Sequence, residues 1–187
     1  MKNKSLVDLF LHAGVLKNIK RYGWVLKGVE DAESISDHAF RVTFMAIVLS
    51  EDKTLNRQKI IDMALIHDLG KAIVGDVIYQ HGKKNLAPLK NKYKDEKRAL
   101  TSVIKSTKNK KYFLSLWDER VEQKTKEAKF IKSIEKLEMI ITALEYEMRG
   151  YKSPLFDEFW ENAGPHLKSK DFIDLFKELE RRRRKLR

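Results

Sequence analysis

Apolar residues return along this chain at steps of three and four, the spacing of a helix that buries one face. Leu6, Leu9, Phe10 and Ala13 set that rhythm first and predict a helix over 3–19. Gly23, Gly28 and polar neighbours then predict a loop up to Glu33. Ser34 with Asp37 three residues on has the form of a capping box and opens a helix over 35–51, whose apolar residues include Phe40, Phe44, Ile47 and Val48. Asn56 is placed to cap a third helix; Ile60, Ile61, Ala64, Leu65 and Leu69 make its expected buried stripe and Gly70 its end. Residues 71–92 show no sustained period, with Gly75, Gly82 and Pro88 as breaks. Helices are expected over 94–107, 110–117 and 123–149, the last facing inward through Phe130, Ile134, Leu137, Ile141 and Leu144. Ser153-Pro154 opens a short helix, and Ser169 caps a final one over 170–184. No stretch alternates long enough to predict a strand. The expectation is a single all-α domain over 1–187 with no internal repeat.

Composition agrees with that pattern and narrows the setting. With 42% hydrophobic and 35% charged residues the chain has the make-up of a folded domain with a heavily charged surface. Cysteine is absent, which removes disulfides and thiolate metal sites and makes a reducing, cytoplasmic location the expectation. No apolar run is long enough to span a membrane, and Met1-Lys2-Asn3-Lys4 leads into an amphipathic segment instead of a secretory one. Abundant Lys, Arg and Glu with little Gln are compatible with a thermophilic source.

The net charge of +12 is unevenly placed. Six basic groups stand in the last seven residues, Arg181 to Arg187, so the first 180 residues carry 33 basic against 27 acidic side chains. The body is then modestly basic, as suits phosphorylated substrates but equally many proteins that bind none. The tail reads either as a solvated helix end whose cations complement the dipole or as a contact for RNA or acidic lipid.

The chemistry concentrates in His67-Asp68-Leu69-Gly70-Lys71. An imidazole beside a carboxylate offers two kinds of metal ligand. Neighbours on a helix diverge by about 100°, so both reach one ion only near the helix end. A mixed nitrogen and oxygen set favours Mn²⁺, Co²⁺, Fe²⁺, Ni²⁺ or Mg²⁺ over a closed structural zinc site. Alone the dipeptide is weak. There is no phosphate-cradling glycine loop, dinucleotide turn or serine nucleophile elbow to supply another chemistry.

Four blocks in order change the weight of that motif: Arg21-Tyr22-Gly23-Trp24-Val25, Glu33-Ser34-Ile35-Ser36-Asp37-His38, His67-Asp68 through Val77, and Glu127 to Lys132 followed by Glu135-Lys136-Leu137-Glu138. Over residues 10–150 they resemble the HD superfamily of metal-dependent phosphohydrolases, in its 5′-deoxynucleotidase branch. The resemblance implies an HD-type helical bundle, with 151–187 supplying C-terminal helices and the tail. It implies one divalent cation, Mn²⁺ or Co²⁺ foremost with Zn²⁺ also open, on His38, His67, Asp68 and Glu135. It implies a nucleotide substrate met by Arg21, Trp24 and Glu33, the indole crowding a 2′-hydroxyl, and Glu138 supporting the ligands from behind. A homodimer is also implied.

Two positions depart from the family pattern. Glu135 stands where the family has Asp, adding one methylene or roughly 1.5 Å of reach; its plain alternative is a helix carboxylate paired with Lys132 or Lys136. Lys71 replaces the branch's water-activating Glu, so its expected role is to hold a phosphate oxygen, and Asp76 becomes the candidate acid or base. The function these residues imply is metal-dependent hydrolysis of (deoxy)nucleoside 5′-monophosphates. A phosphodiesterase or nucleotide triphosphohydrolase, and a catalytically weak nucleotide- or RNA-binding protein, are the alternatives. His12, His81 and His166 are read as surface or packing residues and Trp117 as core.

Overall fold

The computed structural model describes residues 2–77 and 89–186. Helix α1 (Lys2–Val15) runs into a 3-10 turn, and α2 (Tyr22–Val25), α3 (Ile35–Leu49), α4 (Arg57–Ile66) and α5 (Lys71–Val74) follow. Beyond them lie α6 (Leu89–Val103), α7 (Lys110–Glu122), α8 (Lys126–Met148), α9 (Asp157–Ala163) and α10 (Lys170–Arg184). Among the described residues the only pairing of extended backbone is one antiparallel bridge between Lys20 and Ser34, and no helix is long and apolar enough to cross a membrane.

Local chemistry explains the helix starts. Ser34 Oγ accepts from the Asp37 amide while the Asp37 carboxylate accepts from the Ser34 amide, completing the capping box. Asn56, Thr125 and Ser169 each accept an amide hydrogen from three residues on, at α4, α8 and α10. Helix α8 is the axis of the molecule, packed by α3, α4, α7, α9 and α10. Its Ile131, Ile134 and Leu137 belong to one apolar cluster, with Val42, Met63, Leu100 and the buried Trp117. Ile140, Ala143, Leu144 and Tyr146 carry the other, with Trp24, Phe156 and Trp160.

Several expectations are corrected. The segment 71–92 is not uniformly irregular: α5 occupies 71–74 and α6 begins at Leu89, the former being too short to show a period. Gly82, Pro88 and His81 lie outside the described residues. Phe40, Phe44, Ile47 and Val48 face outward, while Ile35, His38, Ala39, Val42 and Ala46 turn inward. Helix α3 is apolar on two sides, and a period alone does not say which side is the core. Leu65 is likewise exposed, the buried residues of α4 being Ile60, Met63, Ala64 and Ile66. Gly70 does not end α4, which stops at Ile66. Its lack of a side chain matters for packing: a Cβ there would lie 2.7 Å from the Glu96 carbonyl oxygen on α6.

The tail is not simply a solvated helix end. Arg183 is buried; its Nε donates to Glu147 at 2.9 Å, its Nη2 to the Ser153 carbonyl at 2.8 Å and to Asp157 at 2.6 Å, and its guanidinium lies 4.6 Å from the Trp160 ring centre. Arg181 and Arg182 both pair with Glu178 at the surface.

Candidate metal and phosphate site

His67 follows α4 directly and Asp68 lies in the turn behind it, while His38 faces inward from α3. The packing of α3 on α4 brings the three together. Their donor atoms gather within 4.8 Å of one another, and all three side chains are buried. His67 Nε2 lies 3.3 Å from His38 Nε2 and 3.4 Å from Asp68 Oδ2.

The outer ring nitrogens decide what the inner ones can be. His67 Nδ1 is 2.6 Å from the Ala64 carbonyl oxygen, which only accepts, so that nitrogen carries the hydrogen and donates. His38 Nδ1 is 2.5 Å from Glu138 Oε2 and donates in the same way. Burial, with Arg21 and His67 nearby, holds His38 well below the usual histidine range and keeps its ring neutral. His38 Nε2 therefore presents a lone pair, facing His67 Nε2 and, at 4.0 Å, the Asp68 carboxylate. Such a buried, electron-rich cluster fits a cation, and the outer hydrogen bonds are those that fix a metal-binding histidine.

Cationic side chains crowd the cavity above this cluster. It measures about 150 Å³ and is lined by His38, His67, Asp68, Glu135 and Met139, with Arg21, Lys71, Arg120, Lys132 and Lys136. Burial and the neighbouring Lys132 push Lys136 below the usual lysine range, as expected where like charges converge. Arg21 arrives through the bridge between its strand-like segment and residues 33–35: its amide donates to the Glu33 carbonyl at 2.9 Å, and the Ile35 amide donates to the Ile19 carbonyl at 2.8 Å. Arg21 Nη1 is buried without a hydrogen-bond acceptor, the carboxylates of Glu33 and Glu138 standing 3.7 Å away.

Lys71 bridges two carboxylates, Asp68 at 2.8 Å and Asp76 at 2.7 Å. Gly75, at a φ of 73°, turns the chain after α5 so that Asp76 comes back to Lys71. The second Asp76 oxygen accepts from the Tyr22 amide at 2.8 Å, tying this turn to α2. Burial pushes Asp76 up, but the Lys71 ammonium and Arg21 more than offset it and hold the carboxyl below its ordinary range.

Of the remaining expected residues, Trp24, Glu33 and Glu138 do not line the cavity, and Glu135 does. Trp24 is 1% exposed, edge-on to Tyr146 and Phe156, with its Nε1 donating to Glu33 at 2.9 Å. It does not border the cavity, so the expected contact of its indole with a sugar is not supported by this geometry. Glu33 also lies behind the site, between Trp24, Arg21 and Arg41. Burial pushes its carboxyl above the usual range, as does Glu138 nearby. Glu138 is fully buried, bonded to His38 and to Thr142 at 3.1 Å. Glu135 reaches the cavity wall but not the three-residue cluster; Arg120 grips it with Nε at 2.8 Å and Nη2 at 3.1 Å.

Sequence reasoning missed Arg120, Lys136 and Arg41. Arg120 had a legible signal: it falls three and four residues after Trp117 and Leu116, on the buried face of α7, where a charge needs a partner.

Comparison with known proteins fits this arrangement. The HD domain family matches residues 13–174. The chain belongs to the HD domain family. Among its relatives in that family, the human protein named 5′-deoxynucleotidase HDDC2 is 32% identical over 182 residues, spanning 96% of this chain and 87% of the relative. The Dictyostelium discoideum protein of the same name is 37% identical over 157 residues, spanning 79% of this chain and 80% of its own. The HD bundle is also similar to the crystal structure of the PH0347 protein from Pyrococcus horikoshii, with a TM-score of 0.73, 32% identity, and coverage of 94% of this chain and 99% of that one.

Proposed function

We propose that this HD-domain chain hydrolyses nucleoside 5′-monophosphates, preferring the deoxy forms, to nucleoside and inorganic phosphate. The observation that carries the reading is the convergence of His38 Nε2, His67 Nε2 and Asp68 Oδ2 beneath a cavity walled by five cationic side chains. A divalent cation bound there, with Mn²⁺ or Co²⁺ the first to try, supplies Lewis acidity and a means of ionising water at neutral pH. Arg21, whose Nη1 lacks a hydrogen-bond acceptor, is suited to take a phosphate oxygen, and Lys132 and Lys136 add to the field that holds the phosphoryl charge. Lys71 holds Asp76, the carboxylate assigned here to move a proton, at 2.7 Å. At about 150 Å³ the cavity admits the phosphoryl end, while whole small-molecule sites run to roughly 300–1,000 Å³, so the nucleoside extends outside it. The preference for deoxyribose draws on the names of the relatives, since Trp24 is too buried to sense a 2′-hydroxyl.

Phosphate release is the deciding assay, run over deoxy- and ribonucleoside monophosphates with several divalent cations. Several deoxynucleotides should be turned over, and Asp68→Ala should abolish the reaction. Activity that survives this substitution sinks the proposal. Pyrophosphate, triphosphate or a linear dinucleotide among the products would instead indicate a triphosphohydrolase or phosphodiesterase.

The working form is a homodimer in the cytoplasm. Supporting the dimer is an outward apolar face of α1, α3 and α4, where Phe10, Phe40, Phe44 and Leu65 are each more than half exposed and, among the described residues, no charged one lines the groove between them. Supporting the location is the complete absence of cysteine.

A further inference from the structure

Glu135 stands at the position where the family resemblance puts a metal ligand, yet its surroundings give it a different partner. Both its oxygens are taken: Arg120 Nε and Nη2 grip them from α7, and Lys132 Nζ lies 3.5 Å away one helical turn back. The pair is enclosed, with 16% of the Arg120 side chain and 10% of the Glu135 side chain exposed. Meanwhile His38, His67 and Asp68 converge without it.

Moving Glu135 onto a cation would strip a buried guanidinium of its carboxylate. An unpaired buried charge is among the costliest arrangements in a protein. A bidentate arginine–carboxylate fork is also the strongest common form of such a pair. The extra methylene of glutamate therefore carries its oxygens to α7.

We propose that the cation in this chain is held by three side chains, His38, His67 and Asp68, and that Arg120 keeps Glu135 out of the ligand set. Glu135 instead fixes the Arg120 guanidinium in the cavity wall. The proposal rests on the metal-dependent reading above, and its test separates the two.

Mn²⁺ is titrated by calorimetry into the full chain and into Glu135→Gln, Asp68→Asn, Arg120→Leu and the double variant Arg120→Leu/Glu135→Gln, with circular dichroism reporting on folding. Asp68→Asn should weaken Mn²⁺ binding on the order of 100-fold, whereas Glu135→Gln should weaken it by less than about tenfold, below the range expected even of groups that support a ligand. Arg120→Leu frees the carboxylate and should tighten binding about tenfold, a gain that the double variant loses. A tenfold or greater loss in Glu135→Gln overturns the three-ligand centre. Unchanged or weaker binding in a folded Arg120→Leu overturns the role of Arg120. Should Arg120→Leu not fold, the contrast between Glu135→Gln and Asp68→Asn still decides the ligand set. No binding of Mn²⁺ or of other divalent cations by the unmodified chain overturns the metal-dependent reading, and this inference with it.

Discussion

His38 and Glu138 lie one hundred residues apart and meet at 2.5 Å, ring nitrogen to carboxylate, in the centre of the fold. That contact fixes which nitrogen of His38 carries the hydrogen, and so which one faces Asp68. Burial holds the Glu138 carboxyl above its usual range, with Arg21 and Arg41 opposing that rise only in part, and Thr142 donates to its other oxygen. Glu138→Gln keeps the shape and removes the charge. It should weaken Mn²⁺ binding by roughly 10- to 100-fold, measured by calorimetry, because groups that orient metal-binding histidines have effects of that size.

Asp76 is held between the Lys71 ammonium and the Tyr22 amide. If it moves a proton during turnover, Asp76→Asn should lower kcat by about 10²- to 10⁴-fold while the helices and the Mn²⁺ affinity are retained. Lys71→Met bears on the same carboxyl through charge. The ammonium holds the pKa below its ordinary value, so removing it lets the pKa rise, and the acidic limb of the kcat/KM profile should move to higher pH. A limb that stays in place would show that Asp76 does not set it.

Arg183 on α10 is tied to Glu147 on α8, to the Ser153 carbonyl and to Asp157 at the head of α9. Taking one partner from such a buried pair costs about 3–5 kcal/mol. Arg183→Ala should therefore lower Tm by roughly 10 °C in a chain of this size, read by thermal denaturation. Arg181→Ala, which touches only the surface carboxylate of Glu178, should leave Tm essentially unmoved.

Phe40 and Phe44 stack on the outer side of α3, their ring centres 6.4 Å apart and their planes within 9°. An aromatic face of this kind is unusual on a monomer unless something covers it. Lysine at both positions should convert a dimer to single chains in sedimentation velocity while leaving Mn²⁺ affinity unchanged, since neither ring lines the metal cavity.

The sequence by itself determined the helical architecture and the capping residues Ser34, Asn56 and Ser169, and it marked out His38, His67 and Asp68 as candidates that the fold brings together. Caps and adjacent candidate ligands are local: a hydroxyl or amide needs an amide three residues on, and His67 and Asp68 are neighbours. Only the tertiary structure decided which side of α3 faces the core, because a helix apolar on both sides has no single inward face in its pattern. It alone also placed Trp24 among aromatic side chains and Arg183 among carboxylates. The same holds for Glu135. Its identity was readable, but its partner was not, because Arg120 comes from another helix and their pairing depends on how α7 packs against α8.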